Sequence, residues 1–434
     1  MRACQGANAN SSRAGAGARR LLLVGLGSLG RPYLTSAHRR GLTCAIADLP
    51  GNMERARGML RSGDAWYPVP ESSAECWYSA AASALADGPV DAVIGFGDPQ
   101  VRTAALIAAE FGLPGPGLLA ASISRNKLLS RELFARKNVR QPQFAFVRDA
   151  HEAVEWAAGH YPVVLKPLSG QGSAGVRIAM AAEEVQQWAG EETSPDRFLV
   201  ERYLPGPEFS CEAVVAEGRV LFANVTEKTT TRPPYCVELA HHIPVLDAAV
   251  VQAAESLTRE VVAGIGMTAG IIHAELKSEP DGAYLVEFAV RMPGDRVMEL
   301  IRLATGVDLF DAVVDIALGE RPEVTRSRSD AACVWYPYVT PGQVTAVDGL
   351  PELSTLPGVL DHHIKIQVGS EVRLLRSSAE RVGWVILTGA DRAELAHRLD
   401  AVRDTLAVTV AAPGVTPPAR DLTLSGHGLP AGGR

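Results

Sequence analysis

The stretch Val163 to Val176 reads V-V-L-K-P-L-S-G-Q-G-S-A-G-V, a β-type run that delivers Lys166 into a loop carrying Ser169, Gly170, Gly172, Ser173 and Gly175. Such a loop suits phosphate binding: glycines let backbone N–H groups curl around oxygens, and the ammonium adds a point charge. The lysine precedes the glycines, the reverse of the P-loop order. A hairpin turn with a surface lysine is the plainer alternative. A second set of chemistry-bearing residues lies downstream. Gly270 to Leu276 (G-I-I-H-A-E-L) and Ala283 to Val290 (A-Y-L-V-E-F-A-V) flank Pro280-Asp281-Gly282, a strong turn signal. They read as a hairpin with Glu275 and Glu287 in apolar surroundings. Two such carboxylates repel unless a cation sits between them, and oxygen ligands near phosphates suit Mg²⁺; solvent-facing edge glutamates are the other reading. Arg291 follows at once and is suited to clamp a transferring phosphoryl group or an acyl-phosphate.

These residues need elements to hold them. Arg20 to Gly30 (R-L-L-L-V-G-L-G-S-L-G) is a buried strand entering Gly25-x-Gly27-x-x-Gly30, and a second strand from Thr43 ends at Asp48. That spacing imitates a dinucleotide fingerprint, so NAD binding is one expectation; a doubly wound domain that seats another small anion is the other. Val90 to Gly97 is a further strand, with Asp98 at its C-terminal end. Asp98 is there a candidate to touch substrate or to cap the next helix. Lys127 opens an amphipathic helix that ends at Gln141-Pro142. Phe198 to Tyr203 and Phe209 to Val215 read as strands joined by L-P-G-P-E, a linker that can offer backbone groups to an adenine edge with Glu208 accepting from ribose hydroxyls; a Pro/Gly-rich turn with an exposed glutamate is the plainer alternative. Thr226 to Pro244 is polar, shows little periodicity and bears Lys228, Arg232, Glu238, His241 and His242; we read it as a functional loop. Two adjacent histidines on a strand point to opposite faces and make a poor shared metal site. From Ala331 to Val408 a strand-rich module shows apolar runs at 333–339, 363–368 and 382–388 and a helix from Arg392, but no catalytic constellation.

Composition narrows the class. Hydrophobic residues make up 47% and charged residues 21% of 434 positions, which describes a globular chain with ample core. Forty-two Lys+Arg against 49 Asp+Glu leave a net charge of −7, so a nucleic-acid partner is not expected. The six cysteines are scattered singly, so buried free thiols are expected rather than zinc or disulfides. No apolar run is long enough to span a membrane, and a reduced, cytoplasmic enzyme is the expectation. Residues 1–18 and 412–434 read as disordered ends.

In this order the pieces resemble the ATP-grasp superfamily of carboxylate–amine ligases, over about Arg19 to Val408. Within it the chain looks most like the L-amino acid ligases that make dipeptides and the carnosine-synthase type. The cues are E-L-A-H-H-I-P at 238–244, H-A-E-L-K at 273–277, R-M-P-G-D at 291–295 and the appended C-terminal module. The resemblance implies an α/β and α+β architecture. Its parts would be a Rossmann-like domain (19–123), an ATP-grasp domain (124–320, lobes 124–198 and 199–320) and an α+β module (325–411). It implies ATP and Mg²⁺, with Mn²⁺ as the alternative ion. Lys127, Lys166, Ser169, Gly170, Gly172 and Ser173 would hold the phosphates under a mobile lid, 170–175. Glu201 and Leu204 would meet adenine and Glu208 the ribose. Glu275 and Glu287 would carry the metal. Arg291, Lys166 and Gly294 would form the catalytic set, and Asp98, Lys228, His241, His242 and Arg296 would line the substrates. The activity implied is ATP-dependent amide formation between amino-acid-like carboxylate and amine substrates through an acyl-phosphate, releasing ADP and phosphate. A carboxylase-like or other acyl-phosphate ligase, an NAD oxidoreductase and an inactive nucleotide-binding regulator are the alternatives, and a homodimer is an open arrangement. One position departs from the family's E-x-N-x-R: here it reads E-F-A-V-R, with Ala289 in place of a metal-binding asparagine.

Overall fold

The computed structural model describes residues 18–27, 29–170, 172–191 and 197–411. The ends expected to be disordered lie outside these residues, save Ala18. The apolar run Leu21–Val24, wholly buried, forms most of β1 (Arg20–Val24), followed by β2 (Thr43–Asp48), β3 (Ala65–Pro68) and β4 (Ala92–Gly95). They pair in parallel in the order β3-β2-β1-β4, with helices packed against them, as strand–helix alternation predicts. Asp48 has a different role from the one its spacing suggests. Its Oδ2 accepts from the Leu26 and Gly27 amides at 2.8 and 3.0 Å, and its Oδ1 from the Leu49 amide and Asn52 Nδ2. A carboxylate so occupied staples the glycine turn and is not free for a ribose, which removes the basis of the NAD expectation.

An antiparallel sheet follows, built from β5 (Phe144–Val147), β6 (Val163–Pro167), β7 (Arg177–Ala179) and β8 (Phe198–Arg202) in the order β5-β8-β6-β7. Its core holds Trp188 and Phe198, edge to face at 4.8 Å between ring centroids. The helix Lys127–Lys137 had been assigned to this lobe from sequence. Its Phe134 instead packs at 5.4 Å against Phe288 of the other lobe, within a core that includes Leu257, Val261 and Ile265. The apolar face at Phe134 decides where the helix sits.

Next come β9 (Glu208–Ala216), β10 (Arg219–Thr230), β11 (Glu238–Ile243), β12 (Gly270–Glu279) and β13 (Gly282–Ala289). The loop expected over 226–244 is therefore mostly strand. Its polar residues defeat apolar periodicity because they pair with one another on one face, Lys228 lying opposite both His241 and Glu208. The last part of the chain contributes β14 (Ala331–Trp335), β15 (Gly342–Asp348), β16 (Val359–Ile364), β17 (Glu371–Val372), β18 (Gly383–Gly389) and β19 (Ala407–Ala411). β14, β18 and β16 continue the preceding sheet into one of eight strands, β13-β12-β9-β10-β11-β14-β18-β16, while β17-β15-β19 form a small separate sheet. A boundary at 320–325 thus falls on a chain connection, not on a gap between sheets. The five described cysteines are free thiols. Among the described residues no helix is long and apolar enough to cross a membrane.

Candidate active site

One cavity of about 700 Å³ opens where the β5-β8-β6-β7 sheet, the eight-stranded sheet, the N-terminal domain and the C-terminal module meet. It is lined by Asp98, Lys127, Lys166, Ser169, Gly170, Gly172, Ser173, Glu201, Leu204, Glu208, Lys228, His241, Glu275, Glu287, Arg291 and Gly294. Its size is that of a small-molecule site.

β6 carries Lys166 to the cavity wall almost fully buried. Its ammonium lies 2.8 Å from Glu201 on β8, and Glu201 also takes Arg131 at 2.7 Å. Burial opposes ionisation of Glu201, but Arg131 and Lys166 outweigh it and hold the carboxyl down to about 2. Arg131 in turn donates to the Leu285 and Val286 carbonyls of β13, so one helix residue ties both lobes together. The loop after β6 bends through Gly170, Gly172, Ser173 and Gly175, all at positive φ. At Gly175 a Cβ would also press on the Pro167 ring, so this turn needs glycine twice over.

On the opposite wall, Glu275 and Glu287 are direct cross-strand partners on β12 and β13. Their repulsion was expected to require a metal. Here each has an ammonium: Lys228 at 2.7 Å from Glu275, and Lys127 at 2.7 Å from Glu287. Lys228 is buried and also lies 3.2 Å from Glu208 and 3.6 Å from Glu238. Burial works against its charge, yet Glu275, Glu208 and Glu238 raise it well above the usual lysine range. It is a hub for carboxylates rather than a group free to touch substrate. Glu208 also faces Lys277 at 3.6 Å. His273 donates from Nδ1 toward Glu212 at 2.8 Å and lies 3.4 Å from Glu275; against burial, these two carboxylates push it up to about 9.

Arg291 reaches Asp98 at 2.8 Å, and its Nε is buried with no partner among the described residues. Asp98 is the first residue of the helix Asp98–Phe111. Burial would raise its pKa, but Arg291, with Arg125 behind it, leaves it lowered. Beyond Gly294, Asp295 and Arg296 both adopt left-handed backbone, a strained arrangement for two non-glycine residues. Asp295 receives His241 at 3.2 Å and Arg381 at 2.7 Å, and its pKa is lowered despite burial.

Two residues assigned to substrate from sequence lie elsewhere. His242 points to the other face of β11, 4.0 Å from the Cys333 sulfur, as strand alternation requires. Burial first, then Arg392 and His241, depress it to about 3. Arg296 turns onto the Trp384 ring, 3.9 Å from its centroid, and does not line the cavity. The C-terminal module, in which no constellation was found, supplies Ser377, Ser378 and Ala379 to the wall. Its Arg381 bridges Asp295 and Glu238, both at 2.7 Å, and stacks 4.0 Å from the Tyr336 ring centroid. The Ser378 amide donates to the Gly172 carbonyl, joining module and glycine loop. Arg131 was within reach of sequence reasoning, one helical turn from Lys127; Glu238 was marked only as part of the polar stretch 226–244, and Arg381 carried no local signal.

An ATP-grasp domain model matches residues 159–299, and the model of L-amino acid ligase C-terminal domain 2 matches residues 335–411. The chain is 31% identical over 260 residues to carnosine synthase 1 of Gallus gallus, covering 54% of this chain and 28% of that one. It is 21% identical over 332 residues to the L-arginine-specific L-amino acid ligase of Bacillus subtilis, covering 73% and 80%. The crystal structure of an L-amino acid ligase from Bacillus licheniformis superposes with a TM-score of 0.74 at 19% identity, over 91% of this chain and 99% of that one. The fold and the two domain matches together make this an ATP-grasp protein. Its residues 335–411 are similar to the C-terminal domain 2 of the L-amino acid ligases.

Proposed function

We propose that the chain is an ATP-dependent ligase that joins a carboxylate and an amine, both amino-acid-like, into an amide. The observation that carries this reading is a single cavity uniting Lys127, Lys166, the glycine loop, the Glu275/Glu287 pair and Arg291. The residues fit a nucleotide with its metal. Positive-φ glycines offer close backbone approach, two ammoniums face the cavity, and two carboxylates stand opposite one another. Lys127, Lys166 and the loop amides would hold phosphates, Leu204 and the Glu201 backbone the adenine, and Glu208 the ribose. Glu275 and Glu287 would hold Mg²⁺ or Mn²⁺ once Lys228 and Lys127 yield part of their contact. Bound ATP supplies a phosphoryl group that turns a poor leaving oxygen into a good one.

The chain's own groups then do the positioning that phosphoryl transfer chiefly needs. Arg291, aligned by Asp98, neutralises charge on the activated carboxylate. Gly294 leaves its backbone open beside that arginine. His241 and Asp295 face the adjoining space, where an ammonium-bearing substrate would find a carboxylate acceptor. The loop at 170–175, caught by Ser378, excludes water that would hydrolyse an acyl-phosphate. Abundant ATP and Mg²⁺ make the cytoplasm the compartment we assign, and light scattering of the purified chain would test for a homodimer. Purified protein incubated with ATP, Mg²⁺ and pairs of amino acids should release ADP and yield a dipeptide mass. Lys166→Ala should lower the rate on the order of 100-fold or more. ADP release by Lys166→Ala equal to that of the unaltered protein would refute the assignment. Turnover requiring bicarbonate would favour a carboxylase instead.

A further inference from the structure

A divalent cation held by two carboxylates still needs further ligands, and Mg²⁺ or Mn²⁺ prefers six in all. On the β12–β13 pair the next residues on the same face as Glu275 and Glu287 are His273 and Ala289, again direct cross-strand partners. All four line the cavity. Ala289 has no ligand atom, and its small side chain leaves room beside His273. The imidazole is already aimed: Nδ1 is fixed by Glu212 at 2.8 Å, and Nε2 faces Glu275 Oε1 at 3.4 Å. Glu212 is wholly buried and is itself held through Oε2 by the Thr226 hydroxyl at 2.9 Å. A histidine whose far nitrogen is anchored by a buried carboxylate, with its near nitrogen beside another carboxylate, has the arrangement that orients metal-binding imidazoles.

We propose that His273 Nε2 is a ligand of the divalent cation, occupying the place opposite Ala289 and completing a Glu275–Glu287–His273 site oriented by Glu212 and Thr226. The proposal rests on the ligase reading for the presence of a nucleotide-bound cation. When the cation binds, any proton on Nε2 leaves to solvent, and Nδ1–H remains on Glu212. A nitrogen ligand makes the site more favourable to Mn²⁺ relative to Mg²⁺ than an all-oxygen site.

The test is electron spin-echo modulation of the full-length protein loaded with Mn²⁺ and ADP. The expected result is a directly bound imidazole ¹⁴N signal that changes to the ¹⁵N pattern when histidines alone are ¹⁵N-labelled. It should vanish in His273→Asn and persist in His241→Asn, the other cavity histidine. Glu212→Gln should keep the signal but weaken Mn²⁺ binding by roughly 10-fold or more. Mn²⁺·ADP bound without imidazole modulation, or modulation that survives His273→Asn, overturns this proposal and leaves the ligase reading standing. Failure of the unaltered protein to bind Mn²⁺·ADP overturns both. The labelled, unaltered protein decides the question even if His273→Asn does not fold.

Discussion

Replacing Lys228 by Met should convert a self-neutralised carboxylate cluster into one that depends on added metal. The Lys228 side chain is 1% exposed and lies 2.7, 3.2 and 3.6 Å from Glu275, Glu208 and Glu238. At an effective dielectric near 20, each contact represents about 5–6 kcal/mol of gross attraction. Desolvation offsets much of this, and removing one partner from a buried ionic group costs about 3–5 kcal/mol. The three glutamates retain some access to the cavity, which places Lys228→Met near about 3 kcal/mol. Methionine keeps most of the volume, so the loss is electrostatic and not a void. In the unaltered protein a cation must draw Glu275 away from Lys228; in the variant Glu275 has lost that ammonium and keeps His273 at 3.4 Å. Urea unfolding in EDTA and in MgCl₂ measures both effects. The variant should have a lower midpoint in EDTA and should recover more with Mg²⁺ than the unaltered protein does, because a ligand stabilises the folded state more the more tightly it binds there. An unchanged midpoint in EDTA, or equal Mg²⁺ shifts in the two proteins, would refute the reasoning.

Glu201→Gln should destabilise by about 3–5 kcal/mol by leaving Arg131 and Lys166 buried without their anion, read from urea midpoints at neutral pH. It should also remove an acid limb. Because the Glu201 carboxyl is held at about 2, it stabilises the fold above the unfolded value of 4.5, and that contribution is lost as pH falls from there toward 2. His242 has the opposite chemistry and a higher window. It is neutral in the fold and protonates in the unfolded chain near 6.5, so stability should fall as pH drops from 6.5 toward 3. His242→Leu should flatten that slope in unfolding measured between pH 7.5 and 4.5, and an unaltered slope would count against the burial argument. Gly206→Ala should weaken ADP binding and lower stability by about 1–3 kcal/mol, because the new methyl would overlap the Ser278 carbonyl oxygen beside the 201–208 linker. Isothermal titration with ADP and a melt check both effects.

The parts legible in the sequence were those whose chemistry is local in the chain. Lys166 and the glycine loop, and Glu275 with Glu287 across an Asp-Gly turn, are encoded by strand period and turn residues within short windows. The network at the cavity's far side is not local. Arg381 meets Asp295 and Glu238 from 86 and 143 positions away, through the β11-β14-β18 strand order of one sheet that no short pattern records. The polar stretch 226–244 misled because an ion-paired strand face looks like a loop to any scale that scores hydrophobicity. Lys127 pointed to its helix correctly, yet Phe134 on the same helix decided which lobe that helix joins.

The pairing of β11 with β14, Ala240 opposite Trp335 through Ile243 opposite Ala332, also bears on how such enzymes diversify. A C-terminal module attached along a strand edge cannot be exchanged like a bead on a string. Cutting ahead of residue 331 would bare the edge of β11 and its row of backbone donors and acceptors, inviting association between copies. A transplanted module must therefore bring a matching edge strand, whereas the short segment 377–379 at the cavity wall carries no such obligation. Variation at the cavity wall has an open route through that segment, within a frame that resists being taken apart.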